Sequence, residues 1–231
     1  MTQDAPLPTH LGFIIDGNRR WAKAQGLVAK EGHIEGYRAL KEVLLDVLGR
    51  GVRYASVYIF STENWNREPA EVNHLMGLFL KILRDDAPVF IQHNVRVRIL
   101  GSRARLNERL IAAIDDVERL TESLKGGQLL ICLNYGGQQE IADAVSALIR
   151  ADVKESGVTP AMIEQFLYTP DVPPCDMIVR SGGEQRISNF MLWRSAYSEL
   201  MFIKKYWPDM TKRDVTRILK EYASRVRRFG G

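Results

Sequence analysis

Apolar and polar positions fall in blocks along this chain, and the blocks carry two different periods. Leu11 to Ile15 is an unbroken apolar run that stops at Asp16-Gly17, the pattern of a short strand buried on both faces. Tyr37, Leu40, Leu44 and Val47 then recur at helical spacing until Gly49 and Gly51, which predicts an amphipathic helix laid on a sheet. Residues 53–60, RYASVYIF, read as a second buried strand. From about Val72 to Ile91 a helix is expected in which Leu75, Met76, Leu78, Phe79, Leu80, Ile82 and Leu83 leave hardly any polar face. Such a helix is either enclosed in the core or lines an apolar cavity with room for a hydrocarbon.

Further on, VRVRIL (95–100) alternates as a half-buried strand, and residues 101–127 predict a helix closed by Gly126 and Gly127. LLICLNY (129–135) is another buried strand, and GGQQEIADAVSALIR begins the next helix. Pro160 to Tyr168 reads as a short helix, TPDVPP as a rigid connection and DMIVR as a strand. LMFIK is a last short strand, and WPDMT starts the terminal helix. Strand–helix alternation at this spacing predicts one α/β domain over residues 1–231, with a largely parallel sheet of about six strands flanked by helices.

Composition narrows the class without naming a reaction. At 231 residues, 45% hydrophobic and 26% charged, the chain is long enough to bury a real core and contains no linker or repeat. A net charge of +4 points to an anionic partner, and phosphorylated metabolites, nucleic acid and acidic lipid all satisfy it. Cys132 and Cys175 form neither a CxxC pair nor a disulfide framework, which fits a reducing cytosol. The start, MTQDAPLPTH, lacks a basic-then-apolar signal, and no run approaches the ~20 apolar residues of a membrane span. The expectation is a cytoplasmic protein with at most peripheral membrane contact.

Three polar stretches follow apolar strands, where open α/β sheets bind ligands. Asp16-Gly17-Asn18 followed by Arg19, Arg20 and Trp21 at a helix start suits a metal-bound diphosphate, although an Asp-Gly turn with solvated arginines is also an ordinary surface feature. Ser61 to Glu71 crowds Thr62, Glu63, Asn64, Trp65 and Arg67 into one loop. The third stretch, Ser181 to Leu200, follows Arg180 with two glycines, Arg186, Ser188 and Glu199, the parts of a second anion site or of a glycine-rich surface turn. These loops are expected to converge on one edge of the sheet. The basic terminal helix, from Lys212 to Arg228, is a solvated face or meets phosphates or lipid headgroups. No Walker loop, catalytic triad or metal-spaced histidines appear, so the nucleophile is not supplied by the protein. Two diphosphate-sized clusters, a carboxylate for a divalent cation and an apolar helix suggest a reaction between two diphosphate esters with hydrocarbon tails.

On LGFIIDGNRRWAK, FSTENWNR and VRSGGEQRISNFMLWRSAYSEL, the chain resembles the cis-prenyltransferases, the undecaprenyl diphosphate synthase family, with its blocks in family order from about Thr9 to Gly231. The resemblance implies a magnesium-dependent condensation of an allylic diphosphate with isopentenyl diphosphate, loss of a proton and a new Z double bond, in a homodimer. It assigns Asp16 to magnesium and the diphosphates, and Gly17, Asn18, Arg19, Arg20, Trp21 and His33 to the allylic diphosphate. It sets Ser61, Thr62 and Glu63 at the mouth, Asn64 as proton acceptor, and Trp65 and Arg67 in a mobile substrate loop. Arg180, Arg186, Ile187 and Ser188 match the isopentenyl diphosphate site, and Glu199 a second magnesium-linked carboxylate. Read as residues alone, Trp21 and Trp65 also suit packing, His33 a structural hydrogen bond and Glu71 a first-turn helix charge.

Two departures qualify the match. Ala29 stands where many members carry an arginine for the allylic diphosphate, and Ile59 stands where many long-chain members have a small residue. The first raises an alternative, an irregular branched product with dimethylallyl diphosphate as acceptor. The second implies a short or medium product. A catalytically silent subunit is disfavoured by the presence of Asp16, Asn64, Arg180, Arg186 and Glu199, and a nucleic-acid binder lacks any recognition motif.

Overall fold

The computed structural model describes residues 6–225, and its centre is a six-stranded sheet in the order β3-β4-β2-β1-β5-β6, parallel throughout. The strands are β1 (His10–Ile14), β2 (Tyr54–Ser61), β3 (Val95–Leu100), β4 (Gly127–Tyr135), β5 (Met177–Arg180) and β6 (Glu199–Phe202). The longer helices are α1 (Asn18–Ala24), α2 (Ala29–Gly49), α3 (Pro69–Asp85), α4 (Ala87–Gln92), α5 (Glu108–Thr121), α6 (Gly137–Arg150), α7 (Pro160–Glu164) and α8 (Lys212–Ser224). Every residue of β1 is buried, as its unbroken apolar run requires. Two apolar clusters cover the two faces. Val57 and Phe79 belong to the larger one, under α2 and α3, and Tyr58, Tyr135 and Phe190 to the smaller one.

Several elements depart from the sequence expectation for local reasons. The helix expected over 72–91 is two helices, because Pro88 in the first turn of α4 has no N–H to continue the α3 ladder, and the chain breaks at Asp86. Asp86 is buried there, with Lys41 Nζ 3.1 Å from its Oδ1. Helix α2 begins at Ala29, well before the periodic residues, with the Glu31 carboxylate accepting the Val28 N–H at 3.0 Å. Helix α5 starts only at Glu108, since Asn107 caps it by accepting the Leu110 N–H at 2.9 Å. Helix α7 ends at Glu164 instead of Tyr168, whose N–H is taken by the Glu140 carboxylate. Arg227 and Arg228 of the expected terminal helix lie outside the described residues.

Candidate active site

Ile14 pairs with Tyr58 of β2 on one side and Arg180 of β5 on the other, so the three polar loops leave the sheet side by side. Asp16 is the pivot: Arg20 Nη2 donates to its Oδ1 at 3.0 Å and Arg180 Nη2 to its Oδ2 at 2.9 Å. Its backbone is locked by the Ser181 hydroxyl, which accepts from the Asp16 N–H at 2.9 Å and donates to the Asp16 carbonyl at 2.8 Å. Burial pulls the Asp16 pKa upward, but the hydrogen bonds from Arg180 and Arg20 outweigh it, and the carboxyl sits below its ordinary value. Gly17 has φ +106°, and a Cβ there would lie 2.6 Å from the Tyr206 ring. Only glycine satisfies both constraints. Asn18 seats against α2, where a Cβ on Gly36 would lie 2.4 Å from its Oδ1. Trp21 does not face this cluster by its polar edge; its Nε1 donates to Asp209 at 2.8 Å.

The second loop forms a 3-10 turn, Thr62–Asn66, in which the Asn64 side chain accepts the Ser61 N–H at 3.1 Å. Glu63 accepts from Asn189 Nδ2 at 2.9 Å, which joins this turn to the third loop. Burial raises the Glu63 pKa, but bonds from Asn189, its own backbone N–H and the Ser61 and Thr62 side chains bring it below the ordinary value. Thr62 packs against Gly136, where a Cβ would meet its hydroxyl at 2.7 Å. Trp65 is held in place: its Nε1 donates to Asn134 Oδ1 at 2.7 Å. Arg67 donates to Glu71 at 2.9 Å, and Glu71 also lies 3.6 Å from Arg19 and 4.0 Å from His33. Burial lowers the His33 pKa to about 4, so the ring is neutral near pH 7.

In the third loop Arg180 is buried, and its Nη1 donates to the Arg186 carbonyl at 2.6 Å and to Ser188 Oγ at 2.8 Å. Ser188 has φ +48° and Asn189 φ +65°, so these bonds hold a left-handed backbone in place. Arg186 is exposed and bonds Glu184, which also reaches Arg20 at 3.4 Å. Ile187 packs against the smaller cluster. The expectation that Glu199 joins this edge is not met within one chain. It opens β6 in register with Met177, the first residue of β5, and therefore lies at the amino end of the sheet, paired with Arg225 at 2.7 Å.

Behind the charged edge lies a cavity of about 550 Å³. Asp16, Arg19, Arg20, Lys23 and Arg67 line its mouth, and Val57, Ile59, Leu75, Phe79, Leu83 and Ile131 its depth. Helix α3 is apolar on so many sides because it walls this space. If only a quarter of the volume behaved as an empty core cavity, the loss would be roughly 3 kcal/mol. Close-packed interiors do not keep such gaps, and the space suits a ligand. Sequence reading missed Lys23, for which only a basic side chain on α1 speaks, and the bridging role of Glu184, which stands inside the glycine-rich stretch.

Among the described residues no group of three or more His, Cys, Asp or Glu side chains is arranged to hold a metal ion. One carboxylate at the mouth, ringed by arginines, fits instead an ion shared with substrate phosphates. That is how magnesium is commonly bound, through one or two carboxylates, water and phosphate oxygens.

A parallel α/β sheet whose loops set arginines and an aspartate over an apolar cavity defines a protein built to bind an anionic group joined to an apolar tail. The family model described as putative undecaprenyl diphosphate synthase matches residues 14–230, and the chain belongs to that family. It is 44% identical over 228 residues to an isoprenyl transferase of Thermotoga maritima, with 97% of each chain covered. It is 42% identical to a trans,polycis-polyprenyl diphosphate synthase, (2Z,6E)-farnesyl diphosphate specific, of Thermobifida fusca, covering 97% of this chain and 81% of that one. Among solved structures, lavandulyl diphosphate synthase from Lavandula x intermedia, in complex with dimethylallyl diphosphate, superposes with TM-score 0.93 at 32% identity, covering 97% of this chain and 99% of that one. A probable undecaprenyl diphosphate synthase from Campylobacter jejuni follows at TM-score 0.83 and 28% identity, covering 98% and 99%.

Proposed function

We propose that the protein condenses an allylic diphosphate with isopentenyl diphosphate to a short or medium Z-prenyl diphosphate, releasing diphosphate. The observation that carries this reading is the single cavity running from Asp16, Arg19 and Arg20 into the apolar depth at Ile59, Phe79 and Leu83. A diphosphate at the mouth meets Arg19, Arg20 and Arg67, whose own side chains are 62%, 42% and 33% exposed in ion pairs with the partly buried Asp16, Glu71 and Glu184. Exposed ion pairs are worth about 0–1 kcal/mol, so a multiply charged diphosphate competes well for these guanidiniums. The hydrocarbon tail then lies along α3. Arg186, with Arg180 and Ser188 behind it, takes the acceptor diphosphate.

In the reaction the allylic C–O bond breaks with its electron pair leaving on diphosphate, and the acceptor double bond supplies the pair for the new C–C bond. A proton is then lost to restore a double bond. Arginines aimed at the leaving oxygens stabilise the charge that develops there. Asn64 is an amide and a poor base, and the departed diphosphate is the better proton acceptor. Magnesium, when bound at Asp16 together with the substrate phosphates, neutralises charge on the leaving group. The assembly we propose is a cytoplasmic homodimer, and among the described residues no helix is long and apolar enough to cross a membrane.

A second reading, an irregular condensation with dimethylallyl diphosphate as acceptor, is favoured by Ala29 and by the likeness to lavandulyl diphosphate synthase. One experiment separates the two. The protein is incubated with magnesium and with dimethylallyl, geranyl or farnesyl diphosphate, each alone and with isopentenyl diphosphate, and the dephosphorylated alcohols are identified. Linear Z-alcohols only when isopentenyl diphosphate is present support the first reading, and a branched alcohol from dimethylallyl diphosphate alone supports the second. No alcohol beyond the input primers overturns both.

A further inference from the structure

The ladder between β2 and β4 slips twice near its carboxyl end. Tyr58 pairs with Cys132 but Phe60 with Leu133, and Ser61 then pairs with Tyr135, so Ile59 and Asn134 are each the extra residue on their strand. Asn134 takes φ +49°, a left-handed conformation that asparagine tolerates better than most residues, and is 4% exposed. Its side chain is saturated. Oδ1 accepts from Trp65 Nε1 at 2.7 Å, and Nδ2 donates to the carbonyls of Ser102 and Ala104, each at 2.8 Å. The indole is also held by Arg105, whose guanidinium lies 4.3 Å from the ring centroid, and by the edge-on ring of Phe60 at 5.2 Å. Arg105 is itself left-handed, with φ +67°.

We propose that Asn134 is a positioning residue for the reaction, acting through Trp65 to fix the turn that carries Asn64 and Arg67. This rests on the proposed condensation. Arg105 and Phe60 hold the indole by its ring, but Asn134 supplies its directional bond to the sheet, while the turn's other polar ties are local or exposed: the Ser61–Asn64 bond is internal to it, the Asn189–Glu63 bond is exposed, and the Arg67 side chain bonds Glu71 four residues on. An amide buried beside the sheet, bonded to two loops at once, transfers the rigidity of β4 to both. Arg67 lines the cavity mouth two residues beyond the tethered indole. Small displacements of a charge-bearing group reduce the reaction rate more than substrate capture.

The test combines N134G, which keeps the left-handed backbone and deletes the amide, with N134D, which keeps the acceptor for Trp65, and with W65F. In protein labelled with 5-fluorotryptophan, N134G is expected to shift or broaden the one 19F resonance that disappears in W65F, and N134D to move it less. With an allylic diphosphate and isopentenyl diphosphate, N134G should lower kcat about ten- to hundredfold and raise either KM by less than threefold. N134D should recover part of the loss, and N134G combined with W65F should be no slower than the slower single variant. An unchanged Trp65 resonance in N134G, a change in all the tryptophan resonances together, or additive losses in the double variant each overturn the proposal. Absence of product from the wild-type protein would defeat the reading of the reaction instead, and the Trp65 resonance would then decide the tether by itself.

Discussion

Two carboxylate–arginine pairs sit on this sheet, Asp16 with Arg180 at the carboxyl edge and Glu140 with Arg194 beneath α6, and they are built to opposite ends. Arg194 spends its donors on Glu140 and on the carbonyls of Val172, Tyr168 and Thr169, while the other Glu140 oxygen accepts from Tyr135. Glu140 and Arg194 are 1% and 3% exposed, and neither lines the cavity at Asp16. Asp16 is open to solvent on one side and lines a cavity together with its partner Arg20, and Arg180 Nε is buried with no hydrogen-bond partner among the described residues. A carboxylate and a guanidinium therefore make a fully satisfied structural knot in one place and an unfinished ligand site in the other. What distinguishes them is the bonding capacity left over, a better guide to function than charge alone.

The sharpest way to break this comparison is Asp16→Ala. Product formation should fall by at least about 10²–10³-fold, the scale of losing one main electrostatic group at a reacting centre. The variant should stay folded with a modest fall in melting temperature, because the loop carboxylate contributes little packing and buried Arg180 keeps its bonds to the Arg186 carbonyl and Ser188. A folded variant with near-normal turnover would place the chemistry elsewhere. Arg194→Ala should do the reverse and destabilise the fold by roughly 3–5 kcal/mol, because Glu140 is left as an unpaired buried charge. Denaturant melts measure this directly, and an Arg194→Ala protein as stable as wild type would mean the knot is not structural.

Next in size come the two arginines of the third loop. Arg186→Ala should weaken acceptor diphosphate binding about 10- to 100-fold, the worth of hydrogen bonds to a charged group. Arg180→Ala should also disturb the allylic site, because the same guanidinium holds Asp16, the Arg186 carbonyl and Ser188. Calorimetric titrations with each diphosphate separate these effects. Lost allylic binding with intact acceptor binding in Arg186→Ala would reverse the allocation of the sites.

The contrast between these pairs also explains what could be read from residues. Asp16-Gly17 is legible because strand end, turn and helix start are neighbours in sequence, and the six-strand parallel sheet follows from the blocks themselves. Glu199 lies away from the edge expected for it because its position depends on which end of β6 it occupies, a matter of register that no local pattern carries. The break at Asp86 was visible in Pro88, but the apolar period on either side masked it. The start of α2 was hidden because valine at position 28 is no capping residue and the cap comes from Glu31. Asn134 had no signal at all, since its role arises only when the Trp65 turn and the 101–107 loop meet at the end of β4.

The smallest expected effect concerns product size, and it turns on the same slipped ladder. Strand alternation alone does not say which face Ile59 takes, and neighbouring residues should point to opposite sides. The bulge removes that rule: Ile59 and Phe60 both pack with the larger cluster, and Ile59 lines the cavity with Val57 and Leu133. A growing chain that passes the mouth must therefore occupy space beside Ile59, and a packed wall does not yield to several extra methylenes. Ile59→Ala should lengthen the product distribution with little change in overall rate, while the wild-type protein stops after a few isoprene units. Chromatography of the dephosphorylated alcohols reads both. Long polyprenols from the wild type, or an unchanged distribution in the alanine variant, would shift chain-length control to the deeper side chains at Leu83 and Ile131.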